Sequence, residues 1–240
     1  MNGSMRDKSL VVVGASSGIG RAIATHASRD GATLHLVGRD AARLKRVGDA
    51  LAGPWYAHAA DALDEAAVAR AFADIGAFDF LTHTAVADET ALTSPVRDMP
   101  TATARRGMEK FWTTFNVCRA AACTVRPAGA MVLTSSVGAV KPSRSGASVM
   151  NAASAAVTAF ARALALELAP VRVNIAAPGV VGTGVWSDAE REGLERWASD
   201  TLPAGRLGTA EDLALAYLAA LANPYMTGDV ITVDGGLSLL

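Results

Sequence analysis

The sequence predicts an α/β fold, a doubly wound parallel sheet with helices on both of its faces. In the first half of the chain, short apolar segments rich in β-branched residues alternate with amphipathic helical segments. A glycine-rich stretch, Gly14 to Gly20, joins the first of these strands to the first helix. Because right-handed crossovers connect parallel strands, this alternation fixes the way the sheet is wound.

The predicted elements follow one another without an internal repeat, a low-complexity tract or a linker, so the whole chain, 1–240, is expected to form one domain. In order, they are the strand Leu10–Val13, a helix through Arg29, the strand Thr33–Val37, a helix from Asp40 to Leu51, the strand Trp55–His58, a helix from Asp64 to Ile75 and the strand Phe80–Thr84.

Composition limits the classes of partner. The chain has 240 residues, of which 51% are hydrophobic, and a net charge of −1, so nothing indicates a nucleic-acid surface or a polybasic membrane patch. No apolar run reaches membrane-spanning length, and the N-terminal residues lack a signal-peptide core. Cys118 and Cys123 are spaced as small core residues rather than as metal ligands. We therefore expect a cytoplasmic protein with reduced thiols, a small-molecule partner and no metal.

The glycine-rich stretch has the form of a phosphate cradle. A helix start offers unpaired N–H groups and the positive end of the helix dipole, and glycines allow a pyrophosphate to approach them. The spacing is Gly-x-x-x-Gly-x-Gly. The alternative is a glycine turn that only packs a helix on a strand. The candidate cofactor ligands are Gly14, Ser16, Ser17, Gly18, Ile19 and Gly20.

The residues that follow the second and third strands indicate which nucleotide binds. After the second strand, Gly38 leaves space and Arg39 offers a guanidinium suited to a phosphate, which favours NADP(H) over NAD(H). The alternative is that Arg39 is a solvated charge beside the helix cap Asp40. Asp61, after the third strand, is placed to accept a hydrogen bond from the adenine amino group, or else is a turn residue.

Further motifs give the chain a resemblance to the short-chain dehydrogenase/reductase family that covers nearly all of it. The matching segments are Gly14 to Gly20, Asp61, Ala165 to Leu168, Val171 to Asn174, Pro178-Gly179, Thr183 and Thr227 to Gly236. The resemblance implies a single Rossmann-type domain with a seven-stranded parallel sheet, often assembled into tetramers. It also implies cofactor contacts from Ala85, Pro178, Gly179, Val181 and Thr183.

The family's catalytic residues are only partly present. Ser136 matches the serine that would hydrogen-bond a substrate carbonyl, but the tyrosine and lysine of Tyr-x-x-x-Lys fall on Met150 and Ser154. Lys110 stands where the family has its catalytic asparagine. Lys110 is either a replacement cation that reaches the site from the facing helix or a solvated helix residue. His83, at the end of the fourth strand, contacts the cofactor, titrates near neutrality, or is a packed or capped residue.

The second half of the chain suggests a substrate pocket and a subunit contact. The segment from Trp186 to Pro203 stands where the family keeps its substrate lid, and Trp186 with Met150, Val149 and Val137 is expected to form an apolar pocket. In the family, the helix here predicted at Ala147–Leu168 joins subunits, which implies a homo-oligomer, a dimer or a tetramer.

Two functions remain open from the sequence. The first is an NADP(H)-dependent oxidoreductase whose proton donor is water, Ser136, Lys110 or the substrate itself. The second is a dinucleotide-binding protein that has lost hydride chemistry and acts as a sensor or partner subunit. A non-redox enzyme using the same pocket, for an elimination or a cyclisation, is a third, weaker alternative.

Overall fold

The computed structural model describes residues 5–85, 93–143, 146–184 and 186–240; Val86, which ends the segment after the fourth strand, lies outside them. Seven parallel strands form one sheet in the order β3-β2-β1-β4-β5-β6-β7, which confirms the predicted fold class and strand number. The strands are β1 Ser9–Val13, β2 Thr33–Gly38, β3 Trp55–Ala59, β4 Phe78–His83, β5 Val125–Thr134, β6 Arg172–Pro178 and β7 Val230–Val233.

Helices connect these strands. They are α1 Gly18–Arg29, α2 Ala41–Gly48, α3 Glu65–Ile75, α4 Thr101–Gly107, α5 Glu109–Ala121, α6 Ser148–Glu167, α7 Asp188–Thr201 and α8 Ala210–Ala222. Short 3₁₀-helices follow β5 and β7, at Val137–Ala139 and Leu237–Leu239.

Most predicted bounds agree with the structure, and two differ for identifiable reasons. The helix predicted to run to Leu51 ends at Gly48, a residue of low helix propensity that packs tightly under the Trp55 ring. Strand β4 begins at Phe78 rather than at Phe80. It includes the charged Asp79 because that carboxylate accepts a hydrogen bond from the backbone of Ser9 in β1.

Apolar residues cover both faces of the sheet. One cluster lies under α1, α2 and α8 and includes Ile23, Leu44 and Tyr217. The other lies under α3, α5 and α6 and includes Phe72, Val117 and Val157. This two-sided burial is the reason that the strands are continuous apolar runs rather than alternating ones.

Helix α6 departs from one expectation. With 20 residues it is, by length and composition alone, long and apolar enough to cross a membrane, although no run of that kind was expected from the sequence. Its buried residues, among them Val157 and Ala161, pack on the sheet. A single helix of this kind is weak evidence for a membrane span, since core helices pass the same test.

Candidate active site

The site lies at the carboxyl edge of the sheet, where β1 and β4 are neighbours. In this strand order the connections leave β1 and β4 in opposite directions, and such a switch point is where open α/β sheets bind ligands. The backbone N–H and the hydroxyl of Thr84 both bond Val13 O, at 2.8 and 3.0 Å. A Cβ atom on Gly14 would lie 2.7 Å from Ala85 N. The structure therefore brings Ala85 directly against the glycine turn.

The glycine turn fits a dinucleotide phosphate. A Cβ at Gly20 would lie 2.2 Å from Gly14 O, so the turn closes only with glycine at that position. Gly18 has a φ of +52°, in the left-handed region that favours glycine. Ser17, the N-cap of α1, makes no side-chain capping hydrogen bond, whereas Asp40 and Asp64 cap α2 and α3. The first turn of α1 thus keeps its N–H groups available for an anion.

The expected ribose and adenine contacts lie on the same edge. Arg39 and Asp61 are both exposed, directly after β2 and just beyond β3. Asp61 Oδ1 accepts a hydrogen bond from Leu63 N at 3.0 Å, which is the turn role that the sequence left open as the alternative to adenine binding. Asn116 on α5 donates its amide to Ala62 O at 3.0 Å. Sequence analysis gave Asn116 no role, and the structure shows that it holds the loop that carries Asp61.

The loop after β6 faces the glycine turn. A Cβ at Gly18 would lie 3.5 Å from Thr183 Cγ2. The loop is held by a bridge between Val181 and Gly208 and by the bond from Gly182 N to Gly208 O, at 2.9 Å. Upstream, Gly179 N bonds Val233 O, which ties the end of β6 to β7. Two of the segments predicted to bind cofactor are therefore in contact distance.

Ser136 lies at the end of β5, against the start of α6. Its Oγ accepts a hydrogen bond from Gly138 N at 3.1 Å and so caps the 3₁₀-helix Val137–Ala139. That bond uses a lone pair and leaves the hydroxyl hydrogen for another acceptor. A Cβ at Gly138 would lie 2.2 Å from Asn151 Oδ1. The turn of α6 that carries Met150 is thus adjacent to the serine loop.

Lys110 is buried, so its interpretation as a solvated helix residue is wrong. Its side chain is only 6% exposed, and Nζ donates a hydrogen bond to Ser135 O at 3.1 Å. The α4–α5 break at Met108 places Lys110 in the first turn of α5. Its carbonyl accepts hydrogen bonds from Thr113 and Thr114. A cation in the first turn opposes the helix dipole, and its burial costs solvation energy, so local stability does not explain this lysine.

Ser154, at the family's lysine position, contributes its backbone carbonyl to a network of hydroxyl groups. It is buried, and its carbonyl accepts hydrogen bonds from Ser135 Oγ at 2.9 Å and Thr158 Oγ1 at 3.1 Å. Ser135 therefore links the two helices, because its carbonyl binds Lys110 and its hydroxyl binds Ser154. Ser135 thus connects Lys110 on α5 with position 154 on α6, where the family has its lysine.

His83 ends β4 close to Lys110. The side chain is 1% exposed, and its Nε2 has no hydrogen-bond partner among the described residues. Burial, aided by the charge of Lys110, lowers the pKa of His83 to about 4. The expectation that His83 titrates near neutrality is wrong, since the imidazole is neutral there. The positive charge at this point of the site is carried by Lys110.

None of the three tyrosines replaces the missing phenol. Tyr217 lies in the core on the opposite face of the sheet from α6, with its hydroxyl 2.5 Å from Thr134 Oγ1, and burial raises its pKa. Tyr56 lies on the edge strand β3, and Tyr225 is almost fully exposed beyond α8. Thr134 Oγ1 also donates to His83 O, so Tyr217 is the donor to Thr134 and has a structural role.

The predicted apolar pocket is not assembled by any contact seen among the described residues. Trp186 Nε1 donates to Val181 O at 3.0 Å, and Val149 lies against Gly107 of α4. The segment from Trp186 to Pro203, where the family keeps its substrate lid, contains α7. A cavity of about 320 Å³ lies beneath α7 and beside the Val181 loop. It is lined by Gly182, Arg191, Glu195, Gly205, Arg206, Leu207, Gly208 and Thr209.

Comparisons with known proteins point to one family. A family model described as enoyl-(acyl carrier protein) reductase matches residues 14–238. Human 3-oxoacyl-[acyl-carrier-protein] reductase is 33% identical over 98% of this chain and 99% of its own length. Carbonyl reductase family member 4 of Danio rerio is 33% identical over 96% of this chain and 98% of its own.

Solved structures extend the comparison. A small-chain dehydrogenase in complex with NADPH is 32% identical, with a TM-score of 0.84 over 97% of this chain and 99% of that one. MalC reductase/Diels-Alderase from Malbranchea aurantiaca has a TM-score of 0.88 over 99% of both chains, and at 24% identity it shows the fold alone. With its strand order, its glycine turn and relatives that match over nearly their full length, the chain belongs to the short-chain dehydrogenase/reductase family.

Proposed function

We propose that the chain is an NADP(H)-dependent oxidoreductase that transfers a hydride between the dinucleotide and a carbonyl or alcohol substrate, using an atypical active site. The observation that carries the proposal is the approach of the Gly18 turn to Thr183, with 3.5 Å between the Gly18 Cβ position and Thr183 Cγ2. This approach brings two segments that are distant in the sequence together at one site. The reductase names of the relatives and the NADPH held by a 32% identical structure support it.

In this proposal different residues bind different parts of the dinucleotide, and the bound nicotinamide supplies or accepts the hydride. The first turn of α1 holds the pyrophosphate, Arg39 the 2′-phosphate and Asp61 the adenine amino group. The nicotinamide end is held by Ala85, Pro178, Gly179, Val181 and Thr183.

Ser136 and Lys110 carry the polar part of the reaction. The Ser136 hydroxyl has its hydrogen available and donates it to the substrate oxygen. Lys110 provides a buried positive charge close to Ser136, because its amine bonds the carbonyl of the preceding residue, Ser135. Met150 and Ser154 cannot supply the phenol proton or the cation that the family places there.

The alternative, a dinucleotide-binding protein without turnover, is favoured by one observation, the methionine at the acid position. It differs from the main proposal in a single measurable respect: it binds NADPH but oxidises none with any carbonyl compound. The proposal also includes a small-molecule substrate, an assembly of two or four copies and a cytoplasmic location, which the free thiols of Cys118 and Cys123 favour.

A pair of glycine variants tests the cofactor site. Gly18→Ala and Gly76→Ala each place a Cβ on a backbone with positive φ, +52° and +70°, but only Gly18 lies in the proposed cradle. In fluorescence titrations with NADPH, Gly18→Ala is expected to weaken binding at least about tenfold, which is about 1.4 kcal/mol. Gly76→Ala is expected to bind like the wild type. Equal affinity in all three proteins would contradict the assignment of the cradle.

A further inference from the structure

We propose that Asn116 on α5 is a positioning residue for the base of the cofactor, and that it makes the site selective for a 6-aminopurine by holding the loop that carries Asp61. This inference rests on the proposed function, because it takes the dinucleotide and its orientation from it. It adds a residue that lies outside the strand ends, and it names the property that this residue controls, which is the choice of base.

The ends of β1, β2 and β3 lie side by side and are tied to one another. Gly14 N donates a hydrogen bond to Val37 O at 2.9 Å, which ties the glycine turn to the end of β2. Ala60 N donates to Gly38 O, also at 2.9 Å, which ties the end of β3 to the same strand. A dinucleotide with its pyrophosphate at the start of α1 and its ribose at the end of β2 therefore brings its base beside Asp61.

The Asp61 carboxylate has one oxygen engaged and one available. Oδ1 accepts the hydrogen bond from Leu63 N, and no donor contacts Oδ2 among the residues that the structure describes. Asp61 is exposed, so Oδ2 can accept a hydrogen bond from a ligand. An ionised carboxylate only accepts hydrogen bonds. It therefore favours a base that donates at this point, as the 6-amino group of adenine does.

Asn116 holds the residues that follow Asp61. Its Nδ2 donates hydrogen bonds to Ala62 O at 3.0 Å and to Leu63 O at 3.4 Å. Leu63 in turn holds the Asp61 carboxylate through its backbone N–H. One amide group on α5 thus fixes the two residues after Asp61, and the aspartate side chain is bonded to the second of them.

Helix α5 is a firm support for this amide. Val117 and Cys118, directly after Asn116, are buried in the core between α5 and the sheet. The same helix also pairs Arg119 with Glu65 in the first turn of α3. Both of these side chains are exposed, and exposed ion pairs contribute little to stability. We therefore assign the positioning of the loop to the Asn116 amide.

This arrangement distinguishes a positioning role from a purely structural one. Without the amide, the loop is released from α5, and the Asp61 carboxylate is no longer held in one orientation before the base arrives. The loss should weaken a ligand that donates a hydrogen bond to Asp61 more than a ligand that lacks the donor. A purely structural role would weaken both ligands equally.

The test is a calorimetric titration with NADPH and with its analogue that carries unsubstituted purine in place of adenine. The two ligands have the same charge and differ only in the 6-amino group, so the ratio of their Kd values isolates its contact. We expect the wild type to bind NADPH at least about tenfold more tightly than the analogue, the lower range for a hydrogen bond to a charged group. Asp61→Ala should bind both ligands with the same affinity.

Asn116→Leu removes the amide at similar volume, and it should lower this ratio to about threefold or less, mainly by weakening the binding of NADPH. Asn116→Ser, whose side chain is one atom shorter, gives the same test if Asn116→Leu does not fold. The matched control is Asn223→Leu, because the Asn223 side chain also bonds the backbone of a loop, at Tyr225 N, but lies after α8. This control should keep the wild-type ratio.

A double variant tests whether Asn116 acts through Asp61. In the Asp61→Ala background, the further change Asn116→Leu should leave the ratio of the two Kd values unchanged, because the contact that Asn116 positions is already gone. A further change in the ratio would contradict the proposed order of action.

The outcomes separate the two levels of the argument. No binding of NADPH to the wild type contradicts the proposed function itself. Equal affinity of the wild type for NADPH and the purine analogue overturns the selectivity for a 6-aminopurine and leaves the cofactor site standing. A wild-type ratio in Asn116→Leu, whether or not both ligands bind more weakly, overturns the positioning role of Asn116.

Discussion

Arg39 is the residue on which the choice of cofactor depends. It is exposed directly after β2, where the 2′-phosphate of NADPH is expected. Arg39→Ala should raise the Kd for NADPH about 10- to 100-fold, because a hydrogen bond between charged groups contributes about 1.5–3 kcal/mol. The Kd for NADH should stay within about twofold. Calorimetric titration of both nucleotides measures this.

The control for Arg39 is Arg29→Ala, which removes an exposed arginine at the C-terminal end of α1, away from the glycine turn. This variant should keep the wild-type preference. A loss of NADPH affinity of the same size in both variants would show that only net charge matters, and Arg39 would lose its assignment.

The three substituted positions of the active site should act as a unit. Lys110→Asn, Met150→Tyr and Ser154→Lys together restore the family's phenol on α6 with its lysine one turn away, and they remove the cation from α5. We expect the triple variant to reduce acetoacetyl thioester about a hundredfold faster than the wild type, the lower range for gaining a general acid.

The single variant Met150→Tyr controls for the phenol alone. The single variant lacks the lysine one turn away on α6 that holds and polarises the phenol in the family, so its gain on acetoacetyl thioester should be smaller than that of the triple variant. Steady-state NADPH oxidation compares the three proteins. An unchanged rate in a triple variant that still binds NADPH would contradict the account of why the site is atypical.

Residue identity alone could predict the glycine turn and the caps but not the burial of Lys110. The turn and the cap Asp40 follow from local backbone geometry, which the sequence encodes over a few residues. Lys110 is buried because α4 breaks at Met108 and turns the start of α5 toward Ser135. The lowered pKa of His83 results from its burial. Because that burial depends on tertiary packing, the sequence alone could not predict it.

At the scale of elements, α5 and α6 present an aromatic face. Phe111, Trp112, Phe115 and Phe160 form edge-to-face and stacked pairs 5.2–6.4 Å apart. Trp112 is 52% exposed, and Leu166 on α6 is 82% exposed. Large apolar side chains that are exposed beside an aromatic cluster are typical of a contact between proteins. We expect this face to join two copies of the chain, as the resemblance to the family implied.

Light scattering coupled to size-exclusion chromatography tests that contact. Trp112→Glu places a charge in the aromatic face and should reduce the assembly state, from a tetramer to a dimer or from a dimer to a monomer. Tyr225→Glu is the control, since Tyr225 is almost fully exposed but lies outside this face. A wild-type protein that is already monomeric would contradict the expectation.

The element bounds were predictable where the chain carries its own signals and not where packing decides. The start of α3 follows from the cap Asp64, and the sheet strands follow from apolar runs buried on both faces. The end of α2 at Gly48 depends on the Trp55 ring, which comes from another element. The surroundings of Trp186 depend on where α7 packs, and local sequence patterns do not specify that packing.

For the whole molecule, His35, His58 and His83 make stability depend on pH. Burial lowers the pKa of His83 to about 4, and burial together with the charge of His58 lowers the pKa of His35 to about 4. Burial also lowers the pKa of His58, which lies 3.2 Å from His35. In the unfolded chain, histidines take up protons near pH 6.5. Stability is therefore full above about pH 6.5 and is lost as the pH falls toward 4.

Urea unfolding between pH 7.5 and 4.5, about the range over which these histidines titrate, measures this dependence. His83→Asn removes one of the groups, so it should flatten the slope of unfolding free energy by at most about 1.4 kcal/mol per pH unit below pH 6.5. An identical slope in His83→Asn and the wild type would show that His83 does not titrate differently on folding.

The measurement that tests the central claim most directly is a calorimetric titration of the purified chain with NADPH and, separately, with NADH. The account predicts micromolar binding of NADPH and weaker binding of NADH, because α1 offers an uncapped first turn and Arg39 follows β2. If neither nucleotide bound, that result would contradict both the oxidoreductase and the dinucleotide-sensor interpretations.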